Sequence, residues 1–231
     1  MNFLDFLFPR RCLGCGQWGQ YFCSQCLNLV LLGPQRICPL CGKPAIGGLT
    51  PPSCSRPWSL DGLTSIFSYQ GLMKKAIKKL KYNFASDLAE DLVEFFLSFC
   101  GEDKFFSHFC QERNVYFLPV PLHPKRKRWR GFNQAELLGK MIANNLDLPF
   151  SPDLLRRKRN TKPQTRLKKK ERRKNIKGAF EINPKMSHFP LLTSKFIIFD
   201  DVWTTGSTLR ECGQVLKRAG AREVWGLTIA R

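Results

Sequence analysis

The sequence predicts an α/β domain with a mostly parallel sheet flanked by helices, preceded by a small cysteine-rich, metal-binding module. Three observations lead there. Strand-like apolar runs alternate with helical ones from Leu63 to the carboxyl end. A continuous β-branched and aromatic run, Phe196 to Phe199, leads straight into Asp200-Asp201 and a small hydroxylated loop. Three Cys-x-x-Cys pairs lie within the first 41 residues.

The bulk numbers set bounds on these readings. A chain of 231 residues holds one good-sized core plus an appendage, and a 43% apolar fraction argues against disorder. The net charge of +20 suits phosphates, nucleic acid or anionic lipid as partners and says nothing about fold. No segment is long enough to cross a membrane. The opening MNFLDFLFPRR lacks a basic stretch before its apolar run, so a signal peptide is not expected and a cytoplasmic location is. In that reducing compartment, ten cysteines point to metal or thiols rather than disulfides.

The pairs are Cys12/Cys15, Cys23/Cys26 and Cys38/Cys41, with Cys54 as a single. Two-residue spacing lets both sulfurs of a pair reach one tetrahedral ion, and four thiolates suit Zn2+. The shortest loop joins the first two pairs, so Cys12, Cys15, Cys23 and Cys26 are expected to form one complete site. Cys38, Cys41 and Cys54 form a second set that lacks a ligand, leaving one or two ions open. A structural staple, a redox pair and a direct DNA contact are all compatible with such a module. Cys100, Cys110 and Cys212 have no paired spacing and are expected in or near the core.

The Gly-, Pro- and Ser-rich stretch 47–62 reads as the end of the module, which places its boundary near residue 58 and the larger domain at 59–231. Leu63 to Tyr69 alternates like a strand, and Leu72 to Tyr82 reads as a helix with a lysine face. Asp87 to Cys100 is a second helix that buries Leu88, Leu92, Phe95, Phe96 and Phe99. Val115 to Val120 is a strand, Asn133 to Asn145 a helix, and Phe196 to Phe199 a strand buried on both faces. Thr208 to Ala219 is helical and stops at Gly220, and Glu223 to Ile229 is the last strand. Basic residues concentrate at 124–131 and 155–178, where like charges repel and tend to stay mobile without an anion.

Two adjacent carboxylates are costly to desolvate unless a ligand uses them. At the carboxyl end of a strand in an open α/β sheet they lie where ligands bind. The turn Thr204-Thr205-Gly206-Ser207-Thr208 then leads into a helix, so its amides and hydroxyls form a cup for a phosphate monoester. Asp200 and Asp201 would accept hydrogen bonds from the vicinal hydroxyls of a ribose, with Mg2+ easing their repulsion.

The string FIIFDDVWTTGST resembles the phosphoribosyl-pyrophosphate (PRPP) motif of type I phosphoribosyltransferases. More of the chain resembles the ComF family of bacterial natural transformation. The stretches that carry this are the cysteine pairs, SYQGLMKKAIKKLKYNFASDLAEDL, LPVPLHPKRKRWRGFNQAELL, PQTRLKKKERRKNIKGAF and FDDVWTTGSTLRECGQVLKRAGAREVWGLTIAR. The resemblance implies a type I phosphoribosyltransferase-like fold that binds PRPP with Mg2+, beside structural Zn2+. It implies that Pro119 to Pro124 holds the pyrophosphate, with His123, Arg126, Arg128 and Arg130 nearby. It also implies a basic hood at about 156–178 that closes over the sugar phosphate, with Gln164, Arg172 and Asn175 as closure contacts. A turn histidine in water is an equal alternative for His123, and a helix cap alone for Asn133.

The sequence names no nucleophile. One expectation is a phosphoribosyltransferase linked to DNA uptake, with an unidentified acceptor. Another is a non-catalytic factor that binds single-stranded DNA and serves the uptake machinery, with Trp129 and Phe132 available to stack on bases. A PRPP sensor without turnover is the third.

Overall fold

The computed structural model describes residues 10–33, 35–82, 86–161 and 168–231. Its main sheet runs in the order β1 (Gly62–Phe67), β6 (Glu223–Ala230), β5 (Lys195–Val202), β2 (Val115–Pro119), with every neighbouring pair parallel. After the one-turn α1 (Ser24–Leu27) of the cysteine-rich segment, one face is covered by α2 (Gly71–Tyr82), α3 (Ser86–Cys100), α4 (Lys104–Cys110) and α6 (Gln134–Asn145). The other carries α8 (Ser207–Arg218) and a cap made of α7 (Lys169–Ile176) with the antiparallel pair β3 (Leu155–Arg157) and β4 (Phe180–Ile182). Among the described residues, no helix is long and apolar enough to cross a membrane.

Strand β5 shows why the sheet forms where it does. Ile197 and Phe199 pack with Phe117, Leu138 and Leu227 on one side, while Phe196 and Ile198 pack with Leu118, Leu216 and Val224 on the other. All four are fully buried, each contributing about 1.5–3 kcal/mol. The strand extends past its apolar run, so Asp200, Asp201 and Val202 still belong to it.

Strand β1 does not alternate between core and solvent as its sequence suggests; all six residues are buried. The polar members are satisfied inside: Ser65 and Thr228 hydroxyls bond at 2.7 Å, and Thr64 Oγ1 donates to Asp103 Oδ2 at 2.7 Å. The charge run at 124–131 is also not left loose. It forms α5 (Pro124–Arg130), started by Pro124 with His123 Nδ1 accepting from Lys125 N–H, and stopped by Gly131 at φ 82°. Lys127 pairs with Glu136 at 2.7 Å and Arg130 donates to Gln134 at 2.7 Å, which offsets the repulsion.

The cysteine-rich segment packs directly on this domain. Leu32 bridges to Phe67 and Leu49 to Gly62, at the β1 edge. Arg36 pairs with buried Asp103, the residue that also caps α4. Cys12, Phe22, Cys23 and Cys26 join the core cluster beneath α2 and α3. Lys75 donates to the Gly14 carbonyl at 3.4 Å and Lys79 lies 4.9 Å over the Tyr21 ring, so part of the α2 lysine face meets this segment.

Candidate phosphate cup and metal clusters

The carboxyl end of β5 delivers half-buried Asp200 to a shallow cup that it lines with residues 202–209, whereas Asp201, 8% exposed, is not among the residues lining it. Asp201 N–H donates to Asp200 Oδ1 at 2.9 Å. The chain then turns through Gly206 at φ 68°, the residue before α8. The Arg210 N–H closes the first turn on the Gly206 carbonyl at 3.0 Å, and amides ahead of it have no carbonyl one turn back. Thr205 Oγ1 accepts from Ser207 N–H at 3.4 Å and bonds the Ser207 hydroxyl at 2.8 Å, standing where an anion oxygen would sit. The Arg172 guanidinium of α7 donates to Thr204 Oγ1 at 3.0 Å, so the basic segment reaches the cup.

Gly206 has no room for a side chain. A Cβ there would lie 2.1 Å from the Trp203 ring, in a conformation L residues rarely adopt. Gly206→Ala is therefore expected to cost at least about 2 kcal/mol. A urea titration checks it: an unchanged midpoint would show that the turn can be rebuilt.

The second loop follows β2. Burial, then the charges of Arg157, Lys125, Arg126 and Arg128, hold His123 below the ordinary imidazole value, which suits the acceptor role of its Nδ1. Arg126 is half-buried and donates to the Thr161 carbonyl. Arg128 is exposed on α5, and Arg130 is turned onto Gln134. Asn133 caps α6 through Ala135 N–H and donates to the Val120 carbonyl at 3.1 Å, tying that helix to the loop. The Asn175 carbonyl accepts from Arg159 at 2.9 Å. Gln164 lies outside the described residues.

Sequence reasoning passed over three residues here. Arg157 is buried between the two loops, and burial first, then Arg126, pushes its guanidinium down to about 10, partly offset by Cys212 and Asp200. Trp203 floors the cup, and Arg210 stacks 5.3 Å over it while donating to the Pro39 carbonyl. Trp203 could have been flagged from its place inside the DDVWTTGST string; nothing local marks Arg157.

The sulfurs of Cys12, Cys15, Cys23 and Cys26 lie within 4.8 Å of one another, as do those of Cys38, Cys41 and Cys54. Cys23 Sγ is 3.6 Å from Cys12 Sγ and 3.7 Å from Cys15 Sγ. A tetrahedron with Zn–S bonds of about 2.3 Å has edges of about 3.8 Å, so the first set fits zinc. Hydrogen bonding to Cys23, then burial, pushes the Cys26 thiol up to about 12. Burial raises Cys12 too, but backbone donors led by Cys23 outweigh it and bring it down to about 6. Those opposed shifts are the mark of crowded sulfurs that a dication would relieve. Cys100 and Cys212 lie in the core and Cys110 packs against it, all three thiols pushed up by burial.

Residues 3–55 match the double zinc ribbon domain, which assigns structural zinc to this segment. Competence protein F of Haemophilus influenzae is 40% identical over 115 residues, an alignment that spans about half of each protein (49% of both). DNA utilization protein YhgH of Escherichia coli O157:H7 is 31% identical over 226 residues, covering 94% of this chain and 93% of that protein. Competence protein ComFC of Bacillus subtilis is 28% identical over 217 residues, covering 90% and 83%. With similarity running through ribbons, sheet and cup alike, the chain belongs to the ComF family, with an amino-terminal zinc ribbon module.

Proposed function

We propose that the chain binds PRPP with Mg2+ and transfers its phosphoribosyl group to an acceptor, in the service of DNA uptake. The observation that carries this is the cup after β5. A left-handed Gly206, a helix start and two hydroxyls make an anion seat, with Asp200 in its wall and Asp201 next along β5. In this reading residues 59–231 form the transferase domain and 1–58 its zinc module. The 5′-phosphate sits on residues 204–208, the ribose hydroxyls on the acids, and the pyrophosphate beside His123 and Arg126. Arg128, Arg130, Gln164, Arg172 and Asn175 join it as the hood closes. Positive charge on the leaving group is the main help the reaction needs, and Mg2+ adds to it when bound. The protein's part is to orient C1 and exclude water. The printed names of the relatives connect the family to competence and DNA utilization. PRPP with Mg2+ is expected to raise the melting temperature of the native protein by several degrees. No shift at millimolar PRPP would end this reading.

A second reading is favoured by one surface. Trp129 is 78% exposed on α5, between Arg128 and Arg130. Such a helix suits stacking on single-stranded DNA with phosphate contacts alongside. DNA binding there would coexist with PRPP binding or, without turnover, replace transfer by sensing. Pyrophosphate release in the presence of candidate acceptors separates transfer from sensing.

A further inference from the structure

Two hairpins of the cysteine-rich segment are built on one plan. Arg11 bridges to Trp18 and Ile37 to Pro44. Cys12 N–H donates to the Gln17 carbonyl at 2.8 Å, as Cys38 N–H does to the Lys43 carbonyl at 2.9 Å. Each Cys-x-x-Cys pair is followed by a left-handed glycine, Gly16 at φ 84° and Gly42 at φ 77°. Their N–H groups donate back to the Cys12 and Cys38 carbonyls at 2.9 and 3.0 Å. In the second hairpin Leu40 N–H donates to Cys38 Sγ at 3.4 Å and Lys43 N–H to Cys41 Sγ at 3.5 Å, the outer support a metal-bound thiolate needs.

The plans part at the fourth corner. In the first set Leu27 N–H donates to the Cys23 carbonyl at 2.9 Å, and Cys23 and Cys26 both join the four-sulfur group. In the matching turn of the second set Ser55 N–H donates to the Pro51 carbonyl at 3.0 Å, with Cys54 in the place of Cys26. Pro51 thus stands where a fourth cysteine would, and its ring carries no donor atom. Among the described residues, which include all ten cysteines and all three histidines, no other His, Cys, Asp or Glu joins the three sulfurs. Cys38 is buried, Cys54 half-buried and Cys41 exposed, so the set opens to solvent on the Cys41 side.

Three sulfurs within 4.8 Å of one another fit a zinc ion, whose tetrahedron is then completed from solution. Charge and softness select the ligand. A soft, monodentate sulfur donor matches the three already present and fits a corner vacated by a cysteine. Half-buried Arg210 holds the Pro39 carbonyl inside this Cys-x-x-Cys loop and lies within reach of the Cys38 and Cys41 charges. An anionic fourth ligand therefore has a cation beside it.

We propose that Cys38, Cys41 and Cys54 hold a zinc ion with an exchangeable fourth position, and that this position takes a small thiol from solution as its thiolate. Binding forms one Zn–S bond, displaces a coordinated water, and releases the thiol proton to solvent. The first set, closed by four sulfurs, has no such position. Phosphoribosyl transfer plays no part in this site.

The test loads the full-length chain with Co2+ in place of zinc, free of reductant and under argon. Ethanethiol is titrated in, with ethanol and imidazole as controls. About two cobalt ions per chain are expected, one for each set. Ethanethiol should raise the sulfur-to-cobalt charge-transfer absorption by about one seventh, seven thiolates becoming eight, and ethanol should leave it unchanged. Pro51→Cys supplies the missing sulfur from the chain, and should show the higher absorption from the start with no further rise. Cys54→Ser should lose about one cobalt and the ethanethiol response while keeping the spectrum of the first set. In the zinc-loaded native chain, a chelator should remove about half of the metal at least about tenfold faster than the rest, and Pro51→Cys should erase that fast phase. One metal per chain, no response in the native chain, or a native response in either variant overturns the proposal. So does imidazole, and not ethanethiol, shifting the cobalt bands.

Discussion

Replacing Asp200 and Asp201 together with asparagine removes the PRPP-induced melting shift while leaving the ligand-free protein folded. At a PRPP concentration about a hundred times its dissociation constant, mass action adds about 2.7 kcal/mol to native stability. For a chain of this size that is roughly 5–10 °C. The carboxylates are expected to supply most of it, since hydrogen bonds to charged groups are about twice as strong as neutral ones. The fold survives because asparagine keeps the carboxylate's shape, and a side-chain oxygen at position 200 still accepts from the amide at position 201. Both acids also sit at the end of β5, beyond the apolar residues that hold the strand in the sheet. The check is a pair of melting curves, with and without PRPP and Mg2+, for native and double-variant protein. A double variant that keeps the full shift would move the sugar phosphate to some other place on the molecule.

Cys23→Ser should do the largest damage of any single cysteine change. Cys23 is buried and stands at tetrahedral-edge distance from both Cys12 and Cys15. Structural zinc in ribbon-sized segments contributes an apparent 10–16 kcal/mol, about all of the folding free energy such a segment has. Losing one ligand of four is expected to release about one zinc ion per chain and unfold the first ribbon. Phe22, stacked 6.5 Å from Phe95, would then leave the core beneath α3. Elemental analysis gives the zinc count, and amide hydrogen exchange over residues 12–26 gives the fold. Cys54→Ser, in the three-sulfur set, should leave that exchange pattern intact. Native zinc content and native protection in Cys23→Ser would show that the ribbon stands without its metal.

The parts of this molecule legible in sequence are those where one physical demand dominates. Phe196 to Phe199 could only be a strand covered on both faces, and its acidic, hydroxylated continuation marked the cup. Where two demands compete, the sequence misleads. Leu63 to Tyr69 reads as an alternating strand, yet Thr64 and Ser65 are both buried, with Asp103 and Thr228 satisfying their hydroxyls inside the core. PKRKRWR reads as a self-repelling loop, yet His123, Pro124 and Gly131 shape it into α5, and partners on α6 take up its charge. Arg157 was illegible for a third reason. It is one arginine among several between 155 and 178, and only the tertiary fold decides which of them is buried.

Arg210 bridges the second cysteine set and the floor of the cup, holding the Pro39 carbonyl at one end and Trp203 at the other. The amino-terminal segment is thus part of the masonry around the ligand seat. Excising it to study the rest would strip a brace from beneath the tryptophan, and whatever affinity such a trimmed protein showed would describe the injury as much as the native chain.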